Sequence, residues 1–153
     1  MSKITVKAAD WKGLFPAITT TMTKTGEIDL KSTAVHVEYL IKSGCSGIIF
    51  LGSLGENQTL AADEKRSFLK AMIKVVAGRV PVLSGVAETS TRAAISYVKA
   101  LEAMGADGYM LMPSMLYRGD RKETLAWFRS IASSSSLPVM IYNNPVSYGV
   151  DIT

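Results

Sequence analysis

The sequence predicts an α/β protein built on a parallel sheet, and three observations support that fold class. Short apolar segments recur along the chain, and each is followed by an amphipathic pattern typical of a helix. Four of these segments begin near residues 47, 80, 108 and 138, so one strand and one helix together occupy about 30 residues. The segments are apolar throughout instead of alternating, which is typical of parallel strands covered by helices.

The predicted elements alternate along the whole chain. A first strand is predicted at residues 13–21, where β-branched and apolar residues dominate. Asp29 is expected to cap the first helix, which ends at Gly44, and the second strand follows at residues 48–51. The remaining elements are a helix ending at Gly78, a strand at 80–86, a helix ending at Gly105, a strand at 108–112, a helix opened by a capping box at Asp120 and Glu123, and a strand at 138–142.

Two architectures fit these repeated strand–helix units. A five-stranded doubly wound sheet is complete at about this length, whereas a (β/α)8 barrel usually needs about 250 residues and would leave this chain as its first half. In both architectures the functional residues lie just after the carboxyl ends of the strands.

Composition limits the classes of protein that the chain can be. Its 153 residues are 48% hydrophobic and 20% charged, which predicts one globular domain over residues 1–153. No apolar run approaches the length of a membrane span, and the single Cys45 allows no internal disulfide, so we expect a cytoplasmic protein without a membrane partner. The net charge of +4 is spread along the chain without interleaved aromatics, so a nucleic-acid partner is not expected.

Two strand-end segments carry the candidate chemistry. Residues 52–57, Gly-Ser-Leu-Gly-Glu-Asn, follow the second strand, and their glycines, hydroxyl and backbone amides suit a carboxylate or phosphate. Residues 142–145, Tyr-Asn-Asn-Pro, place a phenol at the end of the fifth strand. Taken singly, the first is also compatible with a plain strand–helix connection and the second with a packed aromatic.

Together the two segments resemble the dihydrodipicolinate synthase and N-acetylneuraminate lyase family, whose motifs are G-[ST]-x-G-E and Y-[NYI]-x-P. The resemblance runs from about Gly13 to the end and includes Pro113 after the fourth strand. It implies a parallel (β/α)8 barrel, of which this chain would hold about four and a half βα units and no second domain. It also implies a lyase that forms a Schiff base with a 2-keto acid such as pyruvate, without a cofactor.

The resemblance also implies roles for particular residues. Ser53 and the backbone amide of Leu54 match the positions that hold the keto acid's carboxylate, and Tyr142 matches the proton-transfer phenol. Gly52 and Gly55 are expected to shape the turn. No metal site is expected, because the lone His36 has no ligand at suitable spacing.

Two positions differ from the synthase members of the family. Synthases carry a Tyr in the loop after the fourth strand, where this chain has Met115, and Tyr117 only follows it. Leu54 also replaces a second hydroxyl. These changes, with Asn143 and Asn144, resemble the dehydratase and deaminase branches of the family.

The family's Schiff-base lysine lies at the end of a sixth strand, a position beyond Thr153. The lysines in the helical patterns are expected to be solvated surface charges: Lys42, Lys65, Lys70, Lys74, Lys99 and Lys122. The chain alone is therefore expected to be inactive. A non-catalytic keto-acid-binding module and a doubly wound anion-binding domain remain as alternatives. Because a half-barrel exposes sheet edges, we also expect either a missing second half or association, and the expected form of association is a homo-oligomer.

Overall fold

The protein was analysed as a computed structural model, which describes residue 7, residues 10–114 and residues 116–152. Within these ranges the chain forms one sheet of four strands covered by helices. In chain order the elements are α1 (Leu30–Lys42), β1 (Ile48–Phe50), α2 (Ala62–Val76), β2 (Val82–Val86), α3 (Thr91–Met104), β3 (Gly108–Leu111), α4 (Arg121–Ala132), β4 (Val139–Ile141) and α5 (Pro145–Tyr148).

The strands lie in the sequential order β1-β2-β3-β4, and every neighbouring pair is parallel. A doubly wound sheet reverses its strand order at a switch point and would interrupt this sequence. The prediction of a doubly wound domain is therefore wrong, because each helix returns the chain to the next position on the same side. Sequential order is the arrangement found in a (β/α)8 barrel.

The predicted first strand, residues 13–21, does not form a regular strand. It lies beside β1 as an extended segment with one parallel bridge, between Ala17 and Ile49. The Ile18 amide donates to the Ile49 carbonyl at 3.0 Å, and the Ile49 amide donates to the Pro16 carbonyl at 2.9 Å. Pro16 has no N–H of its own, which limits the ladder at this position. The segment thus continues the sheet's hydrogen bonding but not its regular geometry.

The helix ends confirm the predicted capping signals. The Asp29 carboxylate accepts a hydrogen bond from the Ser32 amide at 2.9 Å at the start of α1. The Asp120 and Glu123 side chains each accept from the other's backbone amide, at 2.8 and 3.1 Å, which is a capping box at the start of α4. Gly105 ends α3 with a φ of +87°, a left-handed conformation that favours glycine.

Strand side chains alternate between two apolar clusters. On the outer face, residues such as Ile48, Phe50 and Tyr109 pack against the helices. On the inner face, Leu83 and Met110 belong to a second cluster, which we call the inner cluster; its buried members are Ile49, Leu83, Ala87, Met110 and Met112, and Tyr142 and Tyr148 pack against it. Burial on both faces explains why the strands read as continuous apolar runs.

None of the helices in the described ranges has both the length and the apolar character required to cross a bilayer.

Candidate functional site

The 52–57 turn follows β1 at the carboxyl edge of the sheet, and the backbone is strained at one residue within the turn and at the residue just before it. Leu51 and Glu56 adopt left-handed conformations, with φ of 54° and 58°, although neither is a glycine. A Cβ on Gly55 would lie 3.0 Å from the Gly52 nitrogen and 3.0 Å from the Ile18 carbonyl oxygen. Gly55 thus has a steric reason to be glycine. A Cβ on Gly52 would meet nothing closer than 3.5 Å.

Two backbone amides of the turn are available to a ligand. The amides of Gly55, Glu56 and Asn57 all donate to carbonyls within the turn. The amides of Ser53 and Leu54, by contrast, have no acceptor among the residues that the structure describes. Both residues are exposed, Leu54 to 77% of its surface. Adjacent free amides beside the Ser53 hydroxyl form a group of donors that suits an anion.

The Ser53 hydroxyl is hydrogen-bonded to the phenol of Tyr148. Both oxygens lie near the Met112 sulfur, at 3.6 Å from Ser53 and 3.9 Å from Tyr148. The Tyr148 and Tyr142 rings meet edge to face with centroids 5.8 Å apart. The structure thus brings Ser53, Tyr148 and Tyr142 to one end of the inner cluster.

Tyr142, the phenol singled out in the sequence, has a different hydrogen-bond partner. Its hydroxyl accepts from the Asn144 side-chain amide at 3.3 Å. Sequence reasoning missed Tyr148, although a signal was present. Asn144 caps the short helix α5, accepting from the Ser147 amide at 3.1 Å, and Pro145 occupies the first helical position. One helical turn after an Asn-Pro pair carries Tyr148 back toward the strand ends.

The loop after β3 does not add a phenol to this group. Met115 lies outside the described residues. Tyr117 is 59% exposed, and its hydroxyl bonds the Glu123 carboxylate at 3.4 Å at the start of α4. Tyr117 therefore belongs to the capping region of α4 and not to the group around Ser53.

The prediction that Lys65 is a solvated surface charge is wrong. Only 4% of Lys65 is exposed, and its ammonium is ion-paired with Glu88, which follows β2. The physical reason is helical spacing: Lys65 lies three, four and seven residues before the buried Phe68, Leu69 and Met72, so it shares their face. The other lysines of the set, Lys42, Lys70, Lys74, Lys99 and Lys122, are exposed as expected.

Two tyrosines outside the turn have perturbed acidity. Burial raises the pKa of Tyr97, whose hydroxyl is hydrogen-bonded to the Ser84 hydroxyl at 2.9 Å. Burial and the nearby Glu102 carboxylate raise the pKa of Tyr109 to about 12. Both phenols stay neutral at physiological pH. Within the described ranges, His, Cys, Asp and Glu side chains form no group of three or more that could hold a metal ion.

Comparison with known proteins identifies the family of this chain. Residues 10–153 match the dihydrodipicolinate synthetase family. The chain belongs to this family. Among similar proteins, a putative 2-dehydro-3-deoxy-D-gluconate aldolase, YagE, of Escherichia coli K12 is 35% identical over 147 residues, covering 96% of this chain and 49% of that protein. A 4-hydroxy-tetrahydrodipicolinate synthase of Rhizobium meliloti is 35% identical over 143 residues, covering 94% of this chain and 49% of the relative.

Solved structures of dihydrodipicolinate synthetase family members support the fold as well. The crystal structure of E. coli YagE in complex with pyruvate aligns with a TM-score of 0.89 at 35% identity, over 94% of this chain and 48% of that one. Dihydrodipicolinate synthase DapA-2 of Bacillus anthracis aligns with a TM-score of 0.88 at 34% identity, over 92% and 49%. The chain therefore has the fold of the first half of a (β/α)8 barrel, and it spans about half the length of the curated relatives it matches.

Proposed function

We propose that the protein binds a 2-keto acid such as pyruvate and provides the substrate-carboxylate site of a Schiff-base lyase. The observation that carries this proposal is the pair of Ser53 and Leu54 amides, which lack an acceptor within the described part of the chain and lie beside the Ser53 hydroxyl. The two amides and the Ser53 hydroxyl are three donors on adjacent groups, which suit the two oxygens of a carboxylate. The pyruvate complex of the similar YagE protein supports the choice of ligand.

Within this site each residue has a distinct proposed role. Ser53 and the Leu54 amide hold the carboxylate, while Gly55 keeps the turn narrow; Gly52, which was expected to share that role, has room for a Cβ. Tyr142 remains our candidate for the phenol that transfers a proton to the substrate oxygen. Because the Tyr148 hydroxyl is the one bonded to Ser53, we add Tyr148 as a second phenol that links the carboxylate site to Tyr142.

The covalent step needs an amine that these residues do not supply. A Schiff base forms when a neutral amine adds to the keto carbon and water leaves. Lys65 is the buried lysine within the described residues, and its side chain is engaged in an ion pair with Glu88 and does not belong to the group around Ser53. We therefore propose that the reactive lysine lies at a position beyond Thr153 and that the 153 residues alone bind the keto acid without turning it over.

Several further properties follow from the family and stand as part of the proposal. Residues 1–153 would be one portion of a single barrel domain in a cytoplasmic homo-oligomer, needing no cofactor. Leu54 leaves the turn with one hydroxyl, which favours the dehydratase or deaminase branch over the synthases of the family; the reaction itself would be of the aldolase or the dehydratase/deaminase type. An apolar side chain at this position would make the carboxylate site less polar on that side.

The test is a binding titration of the protein with pyruvate, followed by amide chemical shifts. We expect millimolar or tighter binding with the largest shifts at Ser53 and Leu54, and no response to pyruvamide, which lacks the carboxylate. Ser53→Ala should weaken binding at least about tenfold, since a hydrogen bond to a charged group is lost. The exposed Ser147→Ala serves as the matched control, and equal binding by pyruvamide would contradict carboxylate recognition.

A non-catalytic keto-acid-binding module is the second candidate, favoured by the carboxylate-binding turn and the ion-paired state of Lys65. Treatment of the protein with pyruvate and borohydride separates the two candidates when it is applied both to this chain and to a longer version containing a sixth strand. We expect no mass increase in the chain and a trapped adduct in the longer version. A longer version that binds pyruvate without an adduct would favour the module.

A further inference from the structure

A buried polar cluster lies directly behind the 52–57 turn. It consists of Lys65, Glu88 and Asn57, and we call it the Lys65 brace. The Lys65 ammonium is ion-paired with Glu88, lies 3.5 Å from the Asn57 side-chain oxygen, and sits 5.1 Å from the centre of the Tyr97 ring. The cluster thus connects helix α2 with the ends of β1 and β2.

Stability alone does not account for this cluster. Removing two charges from water is costly, and replacing a buried ion pair by apolar groups is often neutral or stabilising. Neither Lys65 nor Glu88 belongs to the group around Ser53 and Tyr148. A buried ion pair at this place in the fold therefore calls for a structural task that an apolar pair could not perform.

Asn57 is the link between the ion pair and the turn. It is fully buried, and its side-chain nitrogen donates to the carbonyls of Leu51 and Gly85, both at 3.0 Å. Leu51 follows β1 directly, and Gly85 is the residue before the last one of β2. Asn57 can bridge them only when its side-chain nitrogen faces the two carbonyls and its side-chain oxygen faces away from them. The Lys65 ammonium next to that oxygen fixes this orientation.

The turn needs such support because its backbone is strained. Leu51 and Glu56 both hold left-handed conformations that disfavour residues with a side chain. Leu51 is also the residue whose carbonyl Asn57 holds. Loss of that hydrogen bond would let Leu51 relax to an ordinary conformation and would move the Ser53 and Leu54 amides that follow it.

We propose that Lys65 is a positioning residue for the carboxylate-binding turn, acting through Asn57, with Glu88 as its counter-ion. The ligand part of this inference rests on the proposed function, whereas the effect on the turn does not need a ligand. Lys65 does not touch the substrate. Its action is to keep Asn57 oriented and thereby to hold the backbone amides of the turn in place.

The experiment compares three variants by hydrogen exchange of the free protein. Lys65→Met removes the ammonium and leaves the part-buried Glu88 carboxylate without its counter-ion, which destabilises the fold. The double variant Lys65→Met/Glu88→Gln removes both charges, and we expect it to keep the fold. Ile131→Ala in α4 is the matched control, because Ile131 is fully buried and belongs to another part of the core. The amides followed are those of Gly55 and Asn57, which both donate to the Gly52 carbonyl.

We expect exchange at Gly55 and Asn57 to quicken at least about tenfold in the double variant, the effect of losing one hydrogen bond to a charged group. The same amides should be unchanged in Ile131→Ala, even though this variant melts earlier. Equal protection in the double variant and the unmodified protein would overturn the inference, as would equal loss of protection in the control.

Pyruvate titration of the same variants separates this inference from the proposed function. If the unmodified protein binds pyruvate, the double variant should bind at least about tenfold more weakly, with Ile131→Ala unaffected. If the unmodified protein does not bind pyruvate, the proposed function fails, and hydrogen exchange alone decides whether Lys65 positions the turn.

Discussion

Two strand-end segments meet at the candidate site, and they are supported in different ways. The 52–57 turn follows a strand with hydrogen-bonded neighbours on both sides, and its Asn57 is buried against two carbonyls. The segment after β4 follows a strand that pairs only with β3 among the described residues, and Ile141 and Val146 are exposed to 54% and 95%. The first segment is held by buried polar groups and the second mainly by surface contacts.

Under the proposed function, this difference corresponds to two different tasks of the site. Recognition of a carboxylate requires donors that are already in place, because any reorganisation on binding lowers affinity. Proton transfer requires a phenol that approaches the substrate, and such groups often reach their final geometry only in the complex. Under the proposed function, the amides that would bind the carboxylate have the buried support of Asn57, whereas Tyr142 and Tyr148 have the lighter support.

The strongest test of this difference in support is to remove one side-chain amide from each segment. Asn57→Ala removes the side-chain donor from two carbonyls, and although Gly85 keeps a hydrogen bond from the Ser84 hydroxyl, the Leu51 carbonyl loses its Asn57 donor. We expect this variant to lower the free energy of unfolding by about 3 kcal/mol. Asn143→Ala also loses two hydrogen bonds, to Asp151 and Ile152, but at an exposed position, and should cost no more than about 0.5 kcal/mol. Urea denaturation measures both, and equal losses would contradict the contrast.

The two glycines of the turn allow a test within one segment. Gly55→Ala places a Cβ 3.0 Å from backbone atoms that cannot move freely, and we expect a loss of about 2 kcal/mol in the free energy of unfolding. Gly52→Ala meets its nearest neighbour, the Met110 side chain, at 3.5 Å and should be tolerated. Thermal melts of the two variants decide the matter. A larger loss for Gly52→Ala would show that packing does not explain Gly55.

The phenols after β4 provide a smaller test, in ligand affinity and not in stability. Tyr148→Phe removes the hydrogen-bond partner of the Ser53 hydroxyl. We therefore expect pyruvate affinity to fall by about fivefold, the effect of one neutral hydrogen bond. Tyr142→Phe is the control, because its hydroxyl is bonded to Asn144 and not to Ser53. Calorimetry on both variants would contradict our assignment if Tyr142→Phe weakened pyruvate binding and Tyr148→Phe did not.

The smallest expected effect is a change in fold stability at alkaline pH, and it concerns Tyr97, whose ring lies next to the Lys65 ammonium. Burial raises the pKa of Tyr97 above its ordinary value of about 10, so the folded protein keeps this phenol neutral after the unfolded chain begins to ionise. The resulting stability is complete below about pH 10 and is lost as the pH rises further. Tyr97→Phe should therefore reduce the loss of stability between about pH 9 and about pH 11. The exposed Tyr39→Phe is the control, and an identical change in both variants would contradict a role for burial.

Much of the fold could be predicted from local sequence signals. The caps at Asp29 and Asp120 depend on side chains that bond backbone amides three residues away, and such signals need no tertiary context. Residues 13–21 were harder to predict from the sequence, because Pro16 interrupts an otherwise strand-like run and removes one backbone hydrogen-bond donor. Their strand-like composition predicts a regular strand, whereas the structure has an extended segment with one bridge to β1.

The sequence by itself determined the alternation of strands and helices, the turn at 52–57 and the resemblance that led to a (β/α)8 barrel, since these depend on periodicity and short motifs. Only the tertiary structure decided that Tyr148, and not Tyr142, meets Ser53, and that Lys65 is buried against Glu88. The physical reason is that these contacts join residues far apart in the chain. Their partners are fixed by how helices pack on the sheet, which no local pattern specifies.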